Sequence, residues 1–201
     1  MVNLSNQQKG SLLAFVGVMF ITPDSLFIRL SSIDTWELLF YRGAIPSVVI
    51  LIALIIFYKS NLIKVTLAMG LAGLFYALTF SITNITFIVS IQNTNVANTL
   101  VMIATAPMLS AILAAVFLKE NPDKNTWIAI LITFLAVVYI FFDSFKLGNF
   151  FGDIFGLITA LGLAVGANII RSVRDKDLVP AAVIGKFLVA IFALFFVDNL
   201  I

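Results

Sequence analysis

Residues 10–30 read G-S-L-L-A-F-V-G-V-M-F-I-T-P-D-S-L-F-I-R-L, and residues 152–172 repeat the pattern as G-D-I-F-G-L-I-T-A-L-G-L-A-V-G-A-N-I-I-R-S. The offset of 142 positions aligns Gly10 with Gly152. Each copy is long enough to cross a bilayer, because ~20 apolar residues rising ~1.5 Å each span a core ~30 Å thick. A repeated membrane span indicates a transporter built from duplicated halves, with its binding site at the interface between them.

The composition of the whole chain predicts that lipid is its solvent. Hydrophobic residues make up 62% of the 201 residues and charged residues 11%, whereas a soluble domain carries about 25% charged residues. The net charge of +2 lies mostly in short connections, so we expect the bilayer as a partner and no nucleic acid. The chain has no Cys and no His. We therefore predict no catalytic residue, no metal site and no cofactor.

The hydropathy pattern predicts an all-α, multi-pass membrane protein with about seven transmembrane helices. The predicted spans are 12–31, 38–58, 65–89, 96–118, 127–142, 153–171 and 179–197. Of the twelve Lys and Arg residues, eight fall at inner ends and two at outer ends when the N-terminus is cytoplasmic. This bias places the protein in the cytoplasmic membrane with its N-terminus inside. Because the second copy starts five spans after the first, an odd offset, the repeat is inverted.

Three charged residues lie well inside the predicted spans, away from their ends, and are predicted to bind substrate: Asp24, Arg42 and Lys186. A lone charge costs ~2.5–3.5 kcal/mol near mid-membrane on insertion scales, so it is retained for pairing or for function. Asp24 and Arg42 lie at similar depths in adjacent spans and can meet, either as a structural ion pair or at a water-filled cavity. Lys186 either snorkels to the inner surface or lines the cavity, where it attracts an anionic group.

Polar residues follow helical spacing in the third and fourth spans. The stripe in the third span consists of Tyr76, Thr79, Thr83, Thr86 and Ser90. A threonine in a membrane helix often bonds its own preceding turn, but a stripe of several should face protein or water. Asn84, Asn98 and, in the sixth span, Asn168 are predicted substrate-binding residues. A primary amide cannot satisfy all its hydrogen bonds locally, which is why these three are chosen.

Prolines and glycines mark where the predicted spans bend and pack. Pro23, Pro46 and Pro107 each remove a backbone hydrogen bond from a span, and transporters place binding groups at such interruptions. The sixth span carries glycine pairs four residues apart, at 152 and 156 and at 162 and 166. Glycines at this spacing let helix backbones approach closely, so this span should have packed neighbours on more than one side.

Four short motifs carry a resemblance to a known family. They are Pro23-Asp24 with Ile28-Arg29, Phe40-Tyr41-Arg42-Gly43, Thr105-Ala106-Pro107, and Phe117-Leu118-Lys119-Glu120. On these motifs the chain resembles the drug/metabolite transporter superfamily, specifically its EamA domains. The resemblance covers residues 10–142 as one complete five-helix domain and residues 152–201 as two helices of a partial second domain. The chain departs from the family at Lys119, where a small residue usually stands, and at Ala129 and Ala136, where glycine is common.

The resemblance implies a ten-helix carrier made of two inverted five-helix repeats around a central cavity. It further implies secondary transport of small metabolites by alternating access, often as export. A chain that ends at Ile201 after seven helices would lack the last three, so we expect a truncated carrier. The substrate, the coupling ion and the oligomeric state are left open.

Other classes of protein fit the sequence less well. A seven-helix retinal protein would use Lys186 as its Schiff base, but position 182 holds alanine where a carboxylate is expected, and the third span has no acidic counter-ion. A membrane enzyme would need a nucleophile with a positioned base or a cluster of metal ligands, and the carboxylates are scattered. A non-transporting fragment or a structural membrane subunit stays as an alternative.

Overall fold

A computed structural model describes residues 6–21, 23–120, 122–146 and 150–197, and every regular element in those ranges is helical. The α-helices are α1 (Asn6–Ile21), α2 (Asp24–Leu30), α3 (Thr35–Tyr58), α4 (Leu62–Ala68), α5 (Gly70–Asn93), α6 (Val96–Ile103), α7 (Ala106–Phe117), α8 (Lys124–Lys146), α9 (Phe150–Ser172) and α10 (Val179–Leu194). A turn of 3₁₀ helix at Lys59–Asn61 joins α3 to α4. The predicted all-α class is confirmed.

Five helical stretches in the described part of the chain are long and apolar enough to cross a membrane. They are Thr35–Ala68, Gly70–Asn93, Val96–Phe117, Lys124–Phe142 and Phe150–Ser172. Helix α10 is equally apolar but has 16 residues. The protein is therefore a multi-pass membrane protein, and the count of seven spans stays a prediction.

The chain divides into two compact units, and the boundary along the chain falls between Ser32 and Ile33. The first unit contains α1 and α2. Pro23 directly precedes α2, and its carbonyl accepts the amide hydrogen of Phe27 at 3.0 Å. A proline has no N–H to continue the ladder of α1, so the helix boundary falls where the sequence predicted an interruption. Thr22 lies outside the described residues.

In the second unit, one predicted span is correctly placed but broken, and one begins at the wrong residue. The fourth span divides into α6 and α7 just before Pro107, which cannot donate to the carbonyl of Ile103. Pro46, in contrast, lies inside α3 without ending it. The third span was predicted to begin at Val65, which is wrong: α4 ends before Gly70, whose φ of 57° is left-handed, and α5 begins there.

Helix α9 lies against α5, α6 and α7, and α10 packs against both α3 and α5. Glycines allow the closest of these crossings. A Cβ added to Gly43 of α3 would lie 2.7 Å from the amide nitrogen of Ala190, and one added to Gly185 of α10 would lie 2.8 Å from the carbonyl of Ala77. Such distances exclude a side chain between the helices. The helices are therefore in backbone contact at these points.

Candidate functional site: a polar seam between helices

One face of α5 carries hydroxyl groups that bond to neighbouring helices. The hydroxyls of Thr86 and Thr159 lie 2.8 Å apart across α5 and α9, and those of Ser90 and Thr99 lie 2.8 Å apart across α5 and α6. All four residues are buried. The predicted stripe on this span faces protein. Thr86 also makes the local bond that is common for a threonine in a membrane helix, because its hydroxyl donates to the carbonyl of Ile82, four residues earlier, at 3.0 Å.

The opposite side of α5 bonds to α10. The hydroxyl of Ser81 donates to the carbonyl of Gly185 at 2.7 Å. One turn further on, the ammonium of Lys186 donates to Oδ1 of Asn84 at 2.6 Å and lies 5.6 Å from the ring centre of Phe80. The amide nitrogen of Asn84 donates to the Phe80 carbonyl at 2.7 Å. Two of the predicted site residues are thus brought together, by a bond of a class worth about 1.5–3 kcal/mol.

Arg42 lies next to the point where α3 crosses α10. Its neighbour Gly43 is buried, and a Cβ on Gly43 would lie 2.8 Å from the carbonyl of Lys186. The crossing therefore holds the backbones that carry two predicted cationic site residues close to each other. Asp24 begins α2 in the first unit. Its predicted meeting with Arg42 joins the two units and stays a prediction.

Asn168 forms a second polar cluster, between α9 and α7. Its amide nitrogen donates to the hydroxyl of Ser110 at 3.0 Å, to the carbonyl of Ser110 at 3.2 Å and to the carbonyl of Ala164 at 2.8 Å. Its buried Oδ1 accepts no hydrogen bond from the described residues. The remaining predicted residue, Asn98, lies on α6 directly before Thr99.

Asp153 is a buried carboxylate that the sequence did not single out. It lies in the first turn of α9 with 0% of its surface exposed, and its Oδ1 accepts the hydroxyl hydrogen of Thr94 at 2.7 Å. Oδ2 has no partner among the described residues. An aspartate at the start of a span is typically a solvated helix-start residue, which explains why it was missed. The signal that could have found it is the repeat, which aligns this position with the uncharged Ser11.

The energetics of Asp153 are unfavourable for a bare charge. Removing a carboxylate from water costs several kcal/mol even after the protein relaxes. The helix dipole stabilises a negative charge at the start of a helix by about 0.3–1 kcal/mol at exposed positions and by up to ~2 kcal/mol at partly buried ones. One hydrogen bond to a charged group adds about 1.5–3 kcal/mol. The second oxygen, which has no donor among the described residues, keeps its desolvation cost.

An exposed ion pair closes the other end of α9. Arg171 Nη2 lies 2.8 Å from Oε2 of Glu120, and both side chains are nearly half exposed. Lys119, directly before Glu120, has a φ of 54° in the left-handed region. This position follows the end of α7, where glycine is the preferred residue. The structure thus gives the physical reason for the small residue that the family usually has there.

An open apolar groove of 420 Å³ lies between α5 and α10. It is lined mainly by aliphatic and aromatic side chains, among them Leu78, Ile82, Leu188, Ile191 and Phe192. Such a surface suits an acyl chain better than a polar metabolite. The polar groups that could hold a metabolite lie instead along the polar seam, which is the set of side chains hydrogen-bonded between helices: Thr86–Thr159, Ser90–Thr99, Thr94–Asp153, Asn84–Lys186 and Ser110–Asn168.

A bundle of apolar helices of membrane-spanning length, with hydrogen-bonded polar side chains between them, defines a polytopic membrane protein. Residues 8–142 match the model of the EamA-like transporter family. The chain belongs to that family. No curated protein and no solved structure matches it. Membership places the chain among membrane transporters and gives no support to the retinal-protein alternative.

Proposed function

We propose that this protein is a secondary transporter that moves small metabolites across the cytoplasmic membrane by alternating access. The observation that carries the proposal is the placement of the polar seam. Asn84 belongs to the predicted first domain and Lys186 to the partial second domain, and their side chains are bonded. Carriers built from repeats place their substrate at the interface of the repeats, and a bond that joins the two predicted domains supports a site there.

Other bonds along the seam join the same two predicted domains. Thr86 bonds to Thr159, Thr94 to Asp153, and the amide of Asn168 to Ser110. Polar contacts of this kind can be exchanged for contacts to a substrate, whereas apolar packing offers no such exchange. The seam therefore supplies both the binding groups and the surface along which α5 would separate from α9 and α10.

The charges on the seam favour a substrate with an anionic group. Lys186 brings an ammonium group to the interior of the bundle, and Arg42 lies beside the same helix crossing. Asn84 offers both a donor and an acceptor for a polar substrate. Asp24, Asn98 and Asn168 are proposed as further polar contacts. The cytoplasmic N-terminus and the outward direction of transport are part of the proposal.

The test is counterflow in vesicles that contain the purified full chain. A panel of labelled anionic metabolites, covering amino acids, carboxylates and nucleotides, is screened first. Lys186→Met should then lower the flux of a carried metabolite about tenfold or more, because a hydrogen bond to a charged group is worth about 1.5–3 kcal/mol and 1.4 kcal/mol is a factor of ten. Asn84→Leu should act in the same direction.

The chain supplies a matched control in Asn93. Its amide nitrogen donates to the carbonyl of Val89 at 2.7 Å, the same local bond that Asn84 makes, but Asn93 is exposed. Asn93→Leu should leave flux unchanged. Full flux in Lys186→Met and Asn84→Leu would reject the site. A wild-type chain that carries none of the panel would favour the alternative of a non-transporting fragment or structural subunit.

A further inference from the structure

Asp153 stands apart from every other ionisable residue in the described part of the chain because it alone is buried. Its Oδ1 accepts from Thr94, and its Oδ2 accepts no hydrogen bond from the described residues. The backbone around it is closed. A Cβ on the adjacent Gly152 would lie 2.7 Å from the carbonyl of Asn93, so the turn between α5 and α6 covers the start of α9.

A purely structural role does not account for a carboxyl group here. A carboxylate that serves as a helix cap accepts from the backbone amides of its own helix, whereas the bonded oxygen of Asp153 accepts from a threonine on another element. The repeat aligns the residue with Ser11, an uncharged side chain. The predicted first copy therefore has no ionisable group at this position.

The elements packed against α9 bring no described cation to Asp153. Helices α6 and α7 contain no ionisable residue. The ionisable group of α5 is Tyr76, about 25 Å along the helix from its C-terminal end, and Arg171 of α9 lies about 27 Å from Asp153 by helix rise. On α8, Lys124 stands at the first residue and Tyr139 is 78% exposed. The side chains of residues 143–146 lie outside the described part.

The start of α3 lies at the same end of the bundle, because Thr35 is hydrogen-bonded to Gln92. The charged residues there are Asp34 and Glu37, which are acidic. They add negative charge, which disfavours a second anion nearby and favours a bound cation. A carboxyl oxygen with no donor among the described residues, in a closed site at an end of the bundle that also carries acidic residues, fits a proton, the smallest cation, which needs no further ligands.

We infer that Asp153 binds a proton and that transport is coupled to the uptake and release of this proton; the coupling rests on the proposed function. Oδ2 takes the proton from water on one side of the membrane and returns it to water on the other. Thr94 keeps donating to Oδ1 in both states. The site lies at the end of the bundle where α5 meets α9, away from the Asn84–Lys186 pair.

The proton is tested without any substrate, by infrared spectroscopy of the full chain in lipid. The C=O stretch of protonated carboxyl groups is followed while the buffer is exchanged between acid and alkali. One component of the titrating band should be present in the wild type, lost in Asp153→Asn and retained in Asp177→Asn, because the other Asp and Glu side chains contribute to the band in all three proteins. Asp177 is the control because it is exposed and caps α10 through the amide of Val179 at 2.9 Å.

A second variant keeps the test valid if Asp153→Asn does not fold. Thr94→Val keeps the carboxyl and removes its donor, so the band should shift in frequency. Identical bands in the wild type and Asp153→Asn, or no shift in Thr94→Val, would overturn the proton site. A change that follows replacement of sodium by N-methylglucamine at constant pH would also overturn it, in favour of a sodium ion.

Coupling is tested separately, on a metabolite that the wild-type vesicles carry. Flux should change with pH by up to about tenfold per unit, the limit for one linked proton, and Asp153→Asn should flatten this dependence. Flux of Asp153→Asn that follows pH as in the wild type would overturn the coupling. An intact carboxyl band in a chain that carries nothing would reject the transport function and leave the proton site standing.

Discussion

Helices α8 and α9 each have 23 residues and are each apolar enough to cross a membrane, but they pack in opposite ways. In the most apolar 18-residue stretch of α8 no residue is buried, whereas 33% of the corresponding stretch of α9 is buried. The difference lies in the small and polar residues. Helix α9 has four glycines and a threonine bonded across helices, whereas α8 has no glycine. Hydropathy selects a helix for the membrane, and small and hydroxyl residues decide whether it is packed inside.

The two helices also begin differently. Asp123 precedes α8, is exposed, and accepts the amide hydrogen of Thr126 at 2.9 Å, as an ordinary cap. Asp153 lies inside the first turn of α9 and is enclosed by the turn between α5 and α6. The same residue type is a solvated helix start in one helix and a buried group in the other. The predictions that follow test this contrast.

The largest expected effect is at the glycine that lets α9 approach α5. Gly152→Ala should destabilise the protein by about 3 kcal/mol, the upper part of the range for overpacking, because its Cβ would lie 2.6 Å from the backbone carbon of Asn93. The measurement is unfolding in a detergent titration. Ala136→Val on the exposed surface of α8 is the control and should change stability little. Equal losses in both variants would contradict the contrast.

A pair of threonines gives the next effect. Thr159 and Thr133 each donate to the carbonyl four residues earlier at 2.8 Å, and Thr159 also bonds to Thr86. Thr159→Val should lower the free energy of unfolding by about 1 kcal/mol, and Thr133→Val should not. The double variant with Thr86→Val should show a coupling of about 0.6 kcal/mol, the average for hydrogen bonds within membranes. A coupling of zero would show that the hydroxyl bond contributes nothing.

A smaller effect is expected at the exposed end of α9. Glu120→Gln removes the partner of Arg171 and should reduce stability by less than about 1 kcal/mol, because exposed ion pairs are weak. Salt should reduce the difference between the variant and the wild type, since it screens exposed charges. The check is the same titration at low and high salt. A loss of several kcal/mol that salt does not change would mean that the pair is buried in the membrane.

The smallest effect concerns the cap of α8. The hydrogen bonds from the hydroxyl and amide of Thr126 hold the pKa of Asp123 below its ordinary value of 3.8. A lowered pKa means that the cap is complete above the ordinary value and is lost as the pH falls through the pKa of the folded state. The protection of the Thr126 amide against hydrogen exchange, relative to its intrinsic rate at each pH, should therefore be lost only in acid, and Asp123→Asn should remove that pH dependence. A loss of protection that begins above the ordinary value would refute the cap.

Much of the seam could be predicted from single residues. Asn84 and Lys186 stand out because an amide or an ammonium group is costly in an apolar helix, and the threonine stripe stands out by its spacing. Their pairing could not be predicted, because it joins residues 102 positions apart and depends on the backbone crossings at Gly43 and Gly185. The burial of Asp153 depends likewise on the α5–α6 turn. Ala129 and Ala136, which depart from the family's glycines, are exposed on α8 and need no close approach.

The crossing at Gly43 has a consequence for movement. With the backbones of α3 and α10 in direct contact and no side chain between them, the two helices have no layer on which to slide. The two helices therefore move together as one rigid unit while that contact lasts. A displacement that draws Lys186 away from Asn84 must then open the backbone contact between Gly185 and Ala77 and carry Arg42 along with α10, so both cations would leave or reach a bound anion together.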